Sequence, residues 1–323
     1  MKKVSLVAAG IVLAAAMVPA AHAQTLPPQV LALYPQDVGE LVFVDTRALR
    51  GSPHYAKIKG QVLPERFRAL EQYAGVLGIE FDREINQMSW AFLGAPEGQN
   101  ADFAGVAEGS FPFDEVISRG RVAGLTLTRW EGRPVVSLGK NAEGKEFLFA
   151  FADQTTAIFG FRTSVEGMLE RHARGGASVV NNTTIRDLVS EVNGKAAMWI
   201  VTDQRYTNFA LNQLLPDAKQ VPGYDTVAAK MLSAALRFDL RDGLRGQGTV
   251  RCSSAADALL LSTLFNAALM YQTVRLNESN PELARVLKEM NVSQQEQRLE
   301  MALSIRDADL TTLLAKNSFT LNF

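Results

Sequence analysis

Between Leu232 and Cys252 the side chains alternate so regularly that a single pairing of two strands satisfies them. Leu232, Ala234, Leu236, Phe238 and Leu240 alternate with Ser233, Ala235, Arg237 and Asp239, and then Leu244, Gly246, Gly248, Val250 and Cys252 alternate with Arg245, Gln247, Thr249 and Arg251. A period of two marks a strand with one buried and one wet face. A two-residue Asp242-Gly243 loop would pair Arg241 with Leu244 and throw the two apolar sets onto opposite faces, which burial forbids. A three-residue loop, Arg241-Asp242-Gly243 with Gly243 left-handed, pairs Leu240 with Leu244, Phe238 with Gly246 and Asp239 with Arg245. The segment therefore reads as an antiparallel hairpin, and Cys252 faces its core as a small, inert hydrophobe.

The same grammar recurs along the chain. Leu41 to Val44 leads into Asp45-Thr46-Arg47, and Met198 to Thr202 leads into Asp203-Gln204-Arg205: two buried strands, each ending in Asp-x-Arg before a helical stretch. Gln87 to Gly94 and Asp102 to Gly109 form a strand pair before a helix start at Pro112, and Met231 to Leu240, Leu244 to Cys252 and a helix from Ser254 repeat that order. Matching features lie 143 residues apart (Asp114, Asp257) to 158 apart (Asp45, Asp203), consistent with a diverged duplication of one α/β module. A meander runs through Ala123 to Trp130, Pro134 to Leu138, Glu146 to Ala152 and Thr155 to Phe161, with Pro134 placing its strand at an edge or at a strand start. Thr163 and Glu166 predict a capping box for a helix with Val165, Met168 and Leu169 on its apolar face and Gly175-Gly176 at its end. Ile185, Leu188, Val189 and Val192 predict a second helix, ended by Asn193-Gly194. A last strand over Leu299 to Ile305 precedes a helix from Asp307 to Lys316. The expected architecture is α+β: two related lobes, residues 24–194 and 195–323, each an antiparallel sheet with helices packed on one face.

Lys2 and Lys3, the apolar run Val4 to Val18, Pro19 and the small-x-small site Ala21-His22-Ala23 read as a secretory signal peptide over residues 1–23, with cleavage after Ala23. The expected location is periplasmic or secreted. The chain carries 33 Lys plus Arg against 34 Asp plus Glu, and loss of Lys2 and Lys3 makes it slightly more acidic, which argues against a nucleic-acid partner. One cysteine allows no internal disulfide, so stability must come from core burial. Ala255 to Met270 is apolar but interrupted by Asp257, Ser262, Thr263 and Asn266, and reads as a buried helix rather than a membrane span. The closing Phe319-Thr320-Leu321-Asn322-Phe323 resembles the last strand of an outer-membrane barrel, yet the helices between the strands argue against one.

Catalytic grammar is sparse. Beyond the leader only His54 and His172 remain, His54 expected in a solvated loop and His172 on the apolar side of a helix end. HExxH, CxxC, Gly-x-Ser-x-Gly, a Walker loop and a dinucleotide fingerprint are all missing, so neither a metal nor a cofactor is expected. Ser137-Leu138-Gly139-Lys140 has Ser-x-x-Lys spacing but ends a strand, where the two side chains need not meet. Glu80, Asp82 and Glu84 lack the order of a calcium loop, and Asp45 and Asp203 read as helix caps. The sharpest anomaly is Phe147, Phe149, Phe151, Phe159 and Phe161 in one hairpin. With a loop of two or four residues the rings divide between faces; with three, all five share one. They are the candidate ligand-binding residues, as an apolar groove, unless the hairpin is buried on both sides.

Leu41 to Arg47, Phe103 to Phe111, Ala152-Asp153-Gln154-Thr155-Thr156 and Leu303 to Leu314 together resemble a group of exported bacterial proteins with a duplicated α/β module and no assigned activity. The resemblance implies a compartment and an architecture. The expected function is a non-enzymatic binding or scaffold protein of the cell envelope with a protein or apolar small-molecule partner. The alternative is an envelope hydrolase using carboxylates such as Asp45 and Asp203, or Ser137 with Lys140.

Overall fold

The alternation from Ser233 to Arg251 becomes the hairpin it demands, whereas Leu232, expected on the buried face, is exposed, because a bulge pairs Cys252 with Met231. Strands Met231–Asp239 and Leu244–Cys252 pair Phe238 with Gly246 and Asp239 with Arg245, and Gly243 takes φ +89° in the turn. A side chain at Gly243 would collide with the Ile305 carbonyl, 2.1 Å from where a Cβ would stand. Cys252 is 2% exposed. The computed structural model describes residues 24–62, 65–96, 102–141, 143–214, 226 and 228–316; residues 1–23, expected to be a leader, and the terminal Phe319 to Phe323 lie outside the described residues.

In chain order the strands are β1 Val38–Val44, β2 Ile85–Leu93, β3 Asp102–Gly109, β4 Thr126–Trp130, β5 Arg133–Lys140, β6 Glu146–Phe151, β7 Thr156–Phe161, β8 Met198–Asp203, β9 Met231–Asp239, β10 Leu244–Cys252, β11 Asn291–Gln295 and β12 Arg298–Ile305. All belong to one antiparallel sheet ordered β11-β12-β10-β9-β8-β1-β2-β3-β7-β6-β5-β4. The fold class is α+β, but the strands on either side of residue 194 share this one sheet: β1 and β8 pair directly, Val42 opposite Ile200 and Phe43 opposite Trp199. Outward from that seam the strand succession is alike on both sides, β1-β2-β3 then β7-β6, and β8-β9-β10 then β12-β11. The first half adds the hairpin β4–β5 at its edge.

The helices are α1 Pro28–Leu31, α2 Thr46–Arg50, α3 Tyr55–Val62, α4 Glu65–Val76, α5 Phe81–Glu84, α6 Phe113–Val122, α7 Arg162–Arg174, α8 Thr183–Val192, α9 Gln204–Leu214, α10 Ala255–Ser279, α11 Pro281–Lys288 and α12 Asp307–Ala315. On the front of the sheet, α1, α7 and α8 bury Val30, Val165, Met168, Leu169, Ile185 and Leu188 against Leu41, Phe43, Val106, Ile158 and Trp199. On the rear, α4 and α6 cover the aromatic strands of the first half. The rear of the second half is covered by α10 over Val250, Cys252 and Leu299, and by α11 and α12 over Leu240 and Ile305. The helix after β7 thus lies on the front, whereas the helix after β12 lies on the rear. Among the described residues, that difference leaves the front of β9, β10, β12 and β11 without a covering helix beyond α8.

Several local expectations change. α7 starts directly from β7 with Phe161 at the N-cap and no side-chain cap, so Thr163 and Glu166 form no box. Glu166 instead pairs with Arg162 at 2.8 Å, because the strand runs straight into the helix and leaves Thr163 inside its first turn. His54 is 7% exposed rather than solvated, its Nε2 2.6 Å from Asp307 Oδ1 at the start of α12. His172 faces solvent, since α7 buries Val165, Met168 and Leu169 one turn and more before it. α10 buries only one of its sides, because the sheet lies beneath it and, among the described residues, no element covers its outer side.

Phe43 and Trp199 stack across the seam, centroids 5.4 Å apart, and both are fully buried. Trp199→Ala is expected to cost about 3–5 kcal/mol in urea unfolding followed by circular dichroism, the range for a large ring removed from a packed core.

Candidate functional site

At the C-terminal end of α8 the sheet front opens into a cleft of about 260 Å³. Asn182 fixes the helix: its side chain accepts from Ile185 N at 3.2 Å and donates to the Val38 carbonyl of β1 at 3.3 Å. One wall is Glu191, Val192 and Lys195; the floor and far wall are Ala235 and Arg237 from β9, Gln247 and Thr249 from β10, and Arg298 and Glu300 from β12. Strand register sets this layout, since Arg237 is paired with Gln247, Ala235 with Thr249 and Thr249 with Glu300.

Arg251 and Arg298 are direct cross-strand neighbours, a repulsive placement for like charges. Glu191 reaches down from α8 to both, accepting from Arg251 at 2.5 Å and from Arg298 at 3.4 Å. The pair is thereby held together, although Arg251 Nε is buried without a hydrogen-bond partner. Among the described residues Arg237 and Lys195 have no ion-pair partner, and neither has Glu300. The cleft therefore offers two uncommitted cations, Lys195 and Arg237, the Arg298 guanidinium paired with Glu191, an amide, a hydroxyl and a second carboxylate, Glu300. Such a set can hold a charged group by charge-assisted hydrogen bonds.

The aromatic hairpin resolves differently. Phe147 pairs with Phe161, Phe149 with Phe159 and Phe151 with Ala157, and Ala152 N donates to the Thr156 carbonyl, leaving the three-residue loop Asp153-Gln154-Thr155. All five rings consequently lie on the rear face. Phe149, Phe151 and Phe159 are 2%, 0% and 0% exposed, packed with one another and with Phe111 beneath α4 and α6. The front of the same strands is buried under α7, so the hairpin is covered on both sides. Phe147 and Phe161 are half-buried at the margin, edge to face with each other, and Lys145 Nζ stands 5.2 Å over the Phe161 ring. Gly105 makes room for this packing, because a Cβ there would lie 2.3 Å from the Phe159 ring.

The remaining candidate groups do not converge. Asp45 Oδ1 accepts from Ala48 N at 2.8 Å and Asp203 Oδ1 from Tyr206 N at 3.1 Å, each capping its own helix. They leave opposite ends of the antiparallel pair β1/β8, about 20 Å apart at the rise of a strand. The Ser137 hydroxyl donates to Glu146, whose carboxyl is held below its usual range by Ser137 first and then by Arg162. Lys140 is paired with Glu146 in the register, so Ser137 has a carboxylate beside it that is a poor base. Asp82 is engaged by Lys59 at 2.8 Å and Tyr55 Oη at 3.0 Å, and Arg83 pairs with Glu80 at 3.0 Å. Among the described residues no group of three or more His, Cys, Asp or Glu is placed to hold a metal ion.

A polar cluster inside the front core has no counterpart in the sequence reading. Tyr34 Oη and Ser89 Oγ are 2.7 Å apart, both buried, and burial raises the Tyr34 phenol. Nearby, Gln87 Nε2 donates to Glu108, while Gln87 Oε1 is buried without a partner. Burial pushes the Glu108 carboxyl above its ordinary range, opposed by the Gln87 hydrogen bond.

Two outcomes follow from this geometry. Phe151→Ala is expected to lower stability by about 3–5 kcal/mol and Phe161→Ala by clearly less, both read from urea midpoints, because only Phe151 leaves an enclosed cavity. A carboxyl whose pKa is higher folded than unfolded carries no penalty below the unfolded value; the penalty grows as pH climbs between the two values and is complete above the folded one. Glu108→Gln is therefore expected to stabilise by about 1 kcal/mol at neutral pH, partly by donating to Gln87 Oε1, and to change little in acid. Urea titrations at the two pH values read the difference.

No protein-family model matches this chain, and no curated protein matches it at a significant level. Among solved structures, crystal form I of TP0453 is similar in outline, with a TM-score of 0.49 and 10% sequence identity over 93% of this chain and 99% of that one.

Proposed function

We propose that this chain is a non-enzymatic binding or scaffold protein of the bacterial cell envelope, acting in the periplasm or outside the cell. Its two halves are read as diverged copies of one module, of which the second has given up its front covering helix. The observation that carries the reading is the front of β9, β10 and β12, bare among the described residues, where Arg237 and Lys195 border a cleft without ion-pair partners among those residues. The partner that fits this surface is a protein presenting an acidic segment.

An apolar small molecule is the weaker candidate, because three of the five hairpin phenylalanines are fully committed to the core. The separation of Asp45 from Asp203, together with the engagement of Ser137 by Glu146, speaks against the hydrolase alternative. Among the described residues no helix is long and apolar enough to cross a membrane. Localisation rests on the leader, and N-terminal sequencing of the protein from fractionated cells is expected to begin at Gln24.

The direct test compares the native protein with the double variant Lys195→Glu, Arg237→Glu, each purified from the envelope and examined by native mass spectrometry. An acidic protein is expected to accompany the native chain and to be lost from the variant and at high salt, since exposed charge contacts are screened. Retention of the same companion by the charge-reversed variant would overturn the reading.

A further inference from the structure

α10 is 25 residues long, yet only Ala258, Leu261, Ser262 and Thr273 are buried on it. Leu259, Leu260, Met270, Tyr271 and Val274 are 58%, 48%, 70%, 59% and 69% exposed. No other element of the described residues exposes so many large apolar side chains.

Their spacing is ordered. Leu260, Thr263, Ala267, Met270 and Val274 recur at alternating intervals of three and four, the seam positions of a heptad, with Leu259 and Tyr271 flanking them. A seam with a 3.5-residue repeat is filled by another helix with the same repeat, whose side chains enter the holes between its own. A lipid surface makes no such demand. It would also favour several basic residues along the polar flank, and α10 carries one, Arg275, with Asp257 and Glu278 as its other charged residues. The same scarcity of charge means that a self-pairing of this stripe sets few like charges against each other.

We propose that α10 is a homodimer interface in which two copies of the chain pack this stripe against itself. Five such side chains cover on the order of 500 Å² on each copy, about 1,000 Å² in total, the lower end of specific interfaces. The association is accordingly weak and reversible. It is independent of the cleft on the front, since α10 lies on the rear over Val250 and Leu299.

Sedimentation equilibrium of the mature chain over about 1 to 200 µM is expected to give a monomer–dimer equilibrium, the concentrations at which a weak, reversible dimer is populated beside its monomer. The variant Leu260→Glu, Met270→Glu is expected to stay monomeric with unchanged far-ultraviolet circular dichroism and melting. A gentler variant places a thiol at the middle of the stripe: Ala267→Cys is expected to oxidise to a disulfide dimer at least tenfold faster than Val122→Cys, an 88% exposed site on α6. A native chain that remains monomeric, a glutamate variant that dimerises normally, or equal cross-linking at the two thiols would overturn the proposal. A monomeric chain that binds phosphatidylcholine vesicles through Leu260 would do the same and assign the stripe to a bilayer.

Discussion

The pairing of β1 with β8 holds the molecule together. Five successive residue pairs, from Glu40 with Thr202 to Val44 with Met198, join strands far apart in the chain, and the stacked rings of Phe43 and Trp199 lie at their heart. Because the ladder is continuous, no edge exists between the halves, and the front core runs without interruption from Val135 in β5 to Ala235 in β9. The cleft is built on this arrangement: α8 packs across β1, β8 and β9, so its C-terminal wall stands on the same sheet as the floor.

The surface changes character along a single line across the sheet. Ile158, Val106, Ser89, Phe43 and Trp199 follow one another in register on the front, and the next residues in that line are Arg237, Gln247 and Ala302. On the first five, helices exclude water. On the last three nothing among the described residues does beyond α8, so apolar side chains give way to polar ones. Which face the helix after the returning strand chooses decides this: α7 caps the front, α12 the rear.

Much of the fold was legible in the sequence, where a period of two leaves few options. The β9–β10 register followed from the mismatch a two-residue loop would cause, and the apolar faces of α7 and α8 followed from Val165, Met168 and Leu169 and from Ile185, Leu188, Val189 and Val192. The phenylalanine hairpin was readable only as alternatives, because the loop residues Asp153-Gln154-Thr155 determine the face and turn chemistry alone did not choose the length. What escaped depends on contacts between distant segments. His54 is buried because α12, more than 250 residues later, supplies Asp307. The cleft draws its lining from four separate stretches, each of which reads alone as an ordinary wet strand or helix end. A periodicity argument also treats α10 as buried, since it counts apolar residues without knowing on how many sides the helix has neighbours.

The central position of β1 has a kinetic side. Its second hydrogen-bonding partner is more than 150 residues downstream, so while the chain is still being synthesised the amides and carbonyls along one flank of β1 stay open, bordered by Leu41 and Phe43. A nascent segment in that condition is a template for mispairing with another chain. Safe maturation therefore depends on how quickly residues 198–203 arrive relative to encounters between neighbouring unfinished molecules.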